Sequence, residues 1–162
     1  MKNFFVSFIL VFATWLLLNS SLAVEYIVSG VIVATFLAVW SSLRFPVFKN
    51  VKMSPKSFFS FIIFTLVFLF ELLKSNFDVA KRVLSPSLPI NPGIISVKTK
   101  LTDPVARMLL ANAITLTPGT FTIEMEGDTF FIHWIDAGIP DADQKSKDIV
   151  RKFEKYLEAV YV

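Results

Sequence analysis

Three long apolar stretches fill the first half of the chain: Phe4 to Leu18, Val24 to Leu43, and a third that starts at Ser57 and stays almost wholly apolar through Phe70. With 162 residues in all, there is room for one ordinary domain, or for a membrane anchor and one small domain, and such stretches fit the second arrangement. The hydrophobic fraction of 54% exceeds the roughly 45–50% of ordinary soluble chains. The excess lies before residue 84, whereas nearly all acidic residues follow Lys100. This partition between two solvents predicts a membrane anchor over 1–84, a proline-rich linker over 85–93 and a soluble α/β domain over 94–162.

Within the anchor, Phe4 to Leu18 is short for a span of about 20 residues, and Asn19-Ser20-Ser21 breaks it from Val24 to Leu43, which is long enough. The expected arrangement is a two-span hairpin. Lys2, the first apolar run and Ser21-Leu22-Ala23 also imitate a signal peptide, but a second apolar run follows with no polar region between, which favours the hairpin. Glu25 stands at the start of the second helix, where a carboxylate is stabilised by the helix dipole; an ion-pathway carboxylate belongs nearer the bilayer centre. From Arg44 to Lys56 there are four basic residues and no acidic one, and Lys2 adds to the same bias, so both ends of the hairpin are expected in the cytoplasm. The third stretch, Ser57 to Leu84, changes character at its end. Glu71, Lys74, Asp78 and Lys81 recur at spacings of three and four on one stripe, with Leu72, Leu73, Ala80, Val83 and Leu84 opposite. This pattern predicts an amphipathic helix, in-plane or half-inserted, which leaves the following domain on the cytoplasmic side.

The basic excess belongs to the membrane-flanking half. Residues 1–97 carry eight Lys/Arg and three Asp/Glu, while 98–162 carry eight and ten. A slightly acidic soluble half without a basic, aromatic-interleaved stripe argues against nucleic acid as a partner. Ser85 to Gly93 holds three prolines and a glycine and reads as an extended linker. From Ile94 to Leu101 the residues alternate, with Ile95, Val97, Thr99 and Leu101 on one face, predicting a half-exposed strand. Thr102-Asp103-Pro104 then starts a helix expected to bury Val105, Met108, Leu109 and Ile114. Thr120 to Glu126 is a second strand with Phe121, Ile123 and Met125 inward, and Gly127-Asp128 turns it into a third, Thr129 to Ile135. After a turn region from Asp136 to Asp141, Asp141 or Asp143 begins a final helix that buries Ile149, Val150, Phe153, Tyr156, Leu157 and Val160. The order β-α-β-β-α predicts a small mixed sheet covered by helices.

Few residues suggest chemistry. With no cysteine in the chain, disulfides, thiolate metal sites, iron–sulfur ligation and a thiol nucleophile are excluded. His133 is the single histidine, without a second ligand at metal-site spacing, and reads as a sheet residue rather than a proton carrier. Thr115, Thr117, Thr120 and Thr122 crowd the turn at Pro118-Gly119, where hydroxyls either bind a ligand or, more commonly, satisfy turn backbone. Glu71, Lys74 and Asp78 form either an ion relay or, more commonly, an amphipathic face or a subunit contact. No glycine-rich phosphate loop or nucleophile elbow occurs. The expectation is an accessory subunit with no catalytic, cofactor-binding or metal residue and no cofactor; a stand-alone membrane-tethered sensor with a ligand near Thr115 to Thr122 is the alternative.

The stretch Leu110-Ala111-Asn112-Ala113-Ile114-Thr115-Leu116-Thr117-Pro118-Gly119-Thr120, followed by Ile132-His133-Trp134-Ile135-Asp136, resembles the E subunit of Mrp-type multisubunit sodium/proton antiporters. Asn91-Pro92-Gly93-Ile94 and Glu71-Leu72-Leu73-Lys74-Ser75-Asn76 are similar to that family too, so the likeness spans almost the whole chain. The resemblance implies a structural or assembly subunit of a hetero-oligomeric complex in the cytoplasmic membrane. Its partners would be polytopic subunits that form the ion pathways. Related modules belong to membrane-bound hydrogenases and sulfur-reducing complexes, which stand as alternative assemblies. The family supplies no catalytic residue to transfer. The Gly127-Asp128 turn is shorter than in the antiporter form.

Overall fold

A computed structural model of the chain describes residues 1–138 and 142–161, with side chains described throughout except at 142–146. Packing divides it into two compact units, 1–51 and 52–162. The expected boundary between residues 84 and 85 came from composition and concerns solvent, which packing within the chain does not address. Three helices, α1 (Lys2–Asn19), α2 (Val24–Arg44) and α3 (Pro55–Leu84), are long and apolar enough to cross a membrane.

In the first unit α1 and α2 form the expected helical hairpin. At 18 residues, α1 reaches about 27 Å, slightly less than the hydrocarbon thickness of about 30 Å. It ends in a left-handed Ser20, whose N–H returns to Leu16 O and Leu17 O. The buried face of α2 is Gly30, Ala34 and Ala38, a stripe of small residues that lets helix backbones approach. A Cβ on Gly30 would lie 2.6 Å from Trp15 Cδ1, so only glycine admits that ring. Trp15 Nε1 in turn donates to Tyr26 O at 3.0 Å. At the other end Ser7 and Ser41 hydroxyls meet at 3.3 Å, and Asn3 donates to Ser42 while accepting from Phe48 N. These groups satisfy one another where lipid cannot.

The second unit is built on a three-stranded sheet, β1 (Gly93–Lys98), β2 (Thr120–Glu126) and β3 (Thr129–Trp134), in the order β1-β3-β2. Both pairings are antiparallel, so the sheet is not mixed as expected: β3 returns directly from β2 through the Gly127 turn and inserts between β2 and β1. Gly127 has φ of +57°, the left-handed conformation that such a tight turn requires. α4 (Pro104–Leu116) and α5 (Ala142–Val160) cover one face. The turn region expected to run to Asp141, and the helix start expected at Asp141 or Asp143, lie partly outside the described residues. The core is Ile95, Val97 and Leu101, Phe130 and Ile132, Leu110 and Ile114, and Val150, Phe153 and Leu157, all buried.

Two expected faces differ. On α4 the buried residues are Ala106, Leu110, Ala113 and Ile114, whereas Met108 is exposed. Ile114 is buried as expected, and the rest of the expected set was turned by about one residue, near 100° of helix rotation. Ala106 and Ala113 let α4 lie close on the sheet, and Arg107 is held beside it by bonds to Leu101 O and Gly127 O. On β2, Phe121, Ile123 and Met125 are 54%, 48% and 42% exposed rather than inward. β2 is an edge strand whose Thr120 and Thr122 are the residues bonded to α4, so Phe121, opposite His133, takes the other face, and a register shift between Thr122 and Glu124 breaks the row beyond it.

α3 packs along α5 in antiparallel sense. Ser54 caps α3 by accepting from Ser57 N. Ser57 Oγ donates to Ala159 O, Lys52 N to Val160 O and Lys52 Nζ to Glu158 O, so the start of α3 satisfies the terminal carbonyls of α5. Further along α3, the rings of Phe64 and Phe68 lie 5.8 and 6.4 Å from that of Phe153. Lys152 then reaches Glu71 at 2.8 Å.

Candidate functional site

The polar stripe of α3 is divided between water and the domain. Glu71 is held by Lys152 at 2.8 Å and lies 3.9 Å from Lys74. Asp78 pairs with Arg82 at 2.7 Å, and the same guanidinium donates to Asp136 at 3.0 Å and to Pro89 O at 2.7 Å. Arg82 thereby ties α3 to the linker and to the segment after β3. Lys74 and Lys81 face outward. The Glu71 and Asp78 carboxylates are ion-paired within the chain. Glu25, in the first turn of α2, is exposed.

The four threonines are bound to backbone or to each other. Thr117 Oγ1 donates to Ala113 O at 2.8 Å, closing the last turn of α4. Thr120 Oγ1 contacts Ile114 O and Thr117 O at 2.6 and 2.8 Å. Thr122 N donates to Thr115 Oγ1, and Thr122 Oγ1 donates to Ala111 O. These bonds splice α4 to β2. His133 is half-buried on β3, opposite Ile94 of β1 on one side and Phe121 of β2 on the other. Among the described residues no group of His, Cys, Asp or Glu is placed to hold a metal ion.

Sequence reasoning missed a buried carboxylate. Glu154, on the apolar face of α5 between Phe153 and Leu157, accepts from Thr99 Oγ1 at 2.6 Å and from Lys100 N, and Leu101 N donates to Thr99 Oγ1 at 3.1 Å. It pins the bend that leaves β1. The signal was present: a glutamate at a core position of an amphipathic helix has to find donors. Asp103 is buried next to this bend and accepts from Val105 N and Ala106 N at 2.9 Å as the N-cap of α4. Tyr161 closes the same region, its hydroxyl pKa raised by burial and, secondarily, by the Asp103 charge. A pocket of about 200 Å³ lies among Lys52, Lys100, Asp103, Glu158 and Tyr161. Its charges are of both signs, and among the described residues no unpartnered buried polar atom points into it.

The candidate residues therefore form bonds and ion pairs within the chain. A family model described as a Na+/H+ ion antiporter subunit matches residues 8–160. The chain belongs to this family. It is 34% identical over 143 residues to the E subunit of the Na(+)/H(+) antiporter of Alkalihalophilus pseudofirmus, covering 86% of this chain and 85% of that one. It is also 34% identical over 148 residues to the corresponding antiporter chain of Bacillus subtilis, with 90% of each covered. Among solved structures, a chain of the membrane-bound sulfane sulfur reductase, an archaeal respiratory membrane complex, superposes with a TM-score of 0.82. The two are 40% identical, covering 97% of this chain and 98% of that one. Membership in this family, with three apolar helices, makes the chain a membrane protein.

Proposed function

We propose that this antiporter-family chain is a non-catalytic assembly subunit of a multisubunit cation/proton antiporter module in the cell membrane. What carries the reading is the family match over residues 8–160 together with relatives that share one antiporter-subunit name. It is supported by the chemistry of the chain: Glu71, Asp78, Arg82, Glu154 and the four threonines all hold this chain together. A second reading has its own observation. The end-to-end likeness to a chain of the sulfane sulfur reductase favours a module built into a redox-driven complex.

The C-terminal domain faces the cytoplasm in this proposal, with α3 lying in the membrane surface. Short-loop charge supports that side. The packing of α3 supports the in-plane position. Its most apolar stretch, from Ser57 to Phe70, lies along α5, whose Arg151, Lys155 and Glu158 are exposed. A spanning α3 would carry these charges to bilayer depth at about 2.5–3.5 kcal/mol each near the centre, roughly 8 kcal/mol together. Lying flat, α3 turns Phe59, Leu66, Phe70 and Leu73 outward to lipid while Phe64 and Phe68 stay on the domain.

Deletion of the chain tests the role: loss of complex assembly and of sodium resistance or sodium-linked respiration is expected, and normal assembly and transport without it would overturn the proposal. Lys155→Cys, the sole thiol in the chain, tests the side. Labelling by an impermeant maleimide only after permeabilisation is expected; labelling of intact cells would place the domain outside and require α3 to span.

A further inference from the structure

The edge of the sheet along β2 is an exposed apolar surface of the second unit. Phe121, Ile123 and Met125 on the strand, and Met108 and Leu116 on α4, are each more than two-fifths exposed. The bonds Arg107 to Gly127 O and Thr122 to Ala111 O run α4 antiparallel to β2 and place Met108 beside the Met125 end of the strand. Each margin of the sheet is backed by a helix, β1 by α5 and β2 by α4, and β1 also carries Lys98. Although α4 packs on β2 and Thr115 accepts from Thr122 N, the apolar side chains of this edge remain exposed, and the charges on the strand are the exposed carboxylates of Glu124 and Glu126. Arg107 stands at the Gly127 end, its guanidinium directed to Leu101 O and Gly127 O, and the strand itself carries only the two negative charges.

We propose that this edge is the docking surface for a basic, apolar cytoplasmic segment of a neighbouring membrane subunit. The acidic pair selects the partner's charge, and short cytoplasmic loops of polytopic proteins are enriched in Lys and Arg. A second copy of the chain is disfavoured, since pairing two β2 edges brings four glutamates together. Extension of the sheet by a long strand is disfavoured too: the register shift at Thr122/Glu124 breaks the row of backbone groups, and Thr122 N is taken by Thr115. The partner docks by side chains, with flexible Met108 and Met125 moulding to its apolar residues. The inference rests on the assembly role and cytoplasmic side proposed above.

The test uses the full chain in its native membrane. A photo-crosslinking amino acid at Met125 is expected to capture a membrane subunit, while the same group at Lys155 does not capture that subunit. Glu124→Lys/Glu126→Lys is expected to lower co-purification with membrane subunits about ten-fold, in proportion to the loss of one close charge-pair contact. The glutamate pair is exposed, so the variant chain is expected to keep the wild-type thermal transition; Glu124→Gln/Glu126→Gln, with an intermediate loss, separates charge from folding. Crosslinks at Met125 only to lipid, to a second copy or to nothing, or unchanged co-purification of the lysine variant, would overturn the docking surface. If the wild-type chain itself co-purifies with no membrane subunit, the assembly role fails first, and the docking surface with it.

Discussion

Replacing Glu154 by alanine removes a buried carboxylate whose Oε1 takes two donors, the Thr99 hydroxyl at 2.6 Å and the Lys100 backbone N–H. Hydrogen bonds to a charged group contribute about 1.5–3 kcal/mol each, and a donor left buried without a partner costs about 1–3 kcal/mol. Relief of carboxylate burial offsets part of this, so a net loss of about 3 kcal/mol is expected for the second unit. For a unit of this size that is roughly a 10 °C fall in the thermal midpoint. Glu154→Gln keeps an acceptor oxygen in place and is expected to lose less than half as much. Thr99→Val severs the same network at its other end and strands Leu101 N, so the Glu154→Ala/Thr99→Val pair should be clearly less than additive. Thermal unfolding of the detergent-solubilised chain, read by near-ultraviolet dichroism, measures all four. Trypsin cleavage at Lys98 and Lys100 reports whether the bend itself loosens. A Glu154→Ala variant within about 0.5 kcal/mol of wild type, or a glutamine variant as damaged as the alanine, would refute the reasoning.

Phe153→Ala deletes the fully buried ring against which Phe64 and Phe68 pack, with an expected loss of about 3–5 kcal/mol and faster proteolysis of α3 at Lys74, Lys81 and Arg82; unchanged cleavage would show that α3 is not held by that ring. In the first unit, Ser7→Cys/Ser41→Cys should form an internal disulfide on oxidation, and Gly30→Leu should lower its yield by driving Trp15 off α2. An undiminished yield would contradict the close approach at Gly30. The Tyr161 pKa is raised in the folded chain, so the folded state holds that proton more tightly. Its stabilisation is full below the unfolded value of about 10 and is lost as pH rises through the folded value, so Tyr161→Phe should flatten the decline in thermal midpoint measured between about pH 9 and 11.

Periodicity, capping residues and charge are local properties, and what depends on them could be read from the chain alone. Alternation placed Ile95, Val97, Thr99 and Leu101 on the buried face of β1 and its extension, and Asp103-Pro104 located the start of α4 through a cap that uses only neighbouring atoms. Gly127 marked the hairpin for the same reason, and the Thr-Leu-Thr-Pro-Gly-Thr stretch carried the family. Which face of an element is buried depends instead on what lies against it. Phe121, Ile123 and Met125 have the pattern of an inward row, yet α4 meets the strand through Thr120 and Thr122, and the register shift after Thr122 breaks the row. On α4, alternatives one residue apart both offer apolar faces, and the close fit of Ala106 and Ala113 against the sheet chose between them. The partners of Glu154 and Arg82 lie 54 or more residues away along the chain for Thr99, Lys100 and Asp136. No local signal names such partners, because a buried charge demands donors without specifying which segment will bring them; only the folding of β1 onto α5, and of α3 onto the domain, decides that.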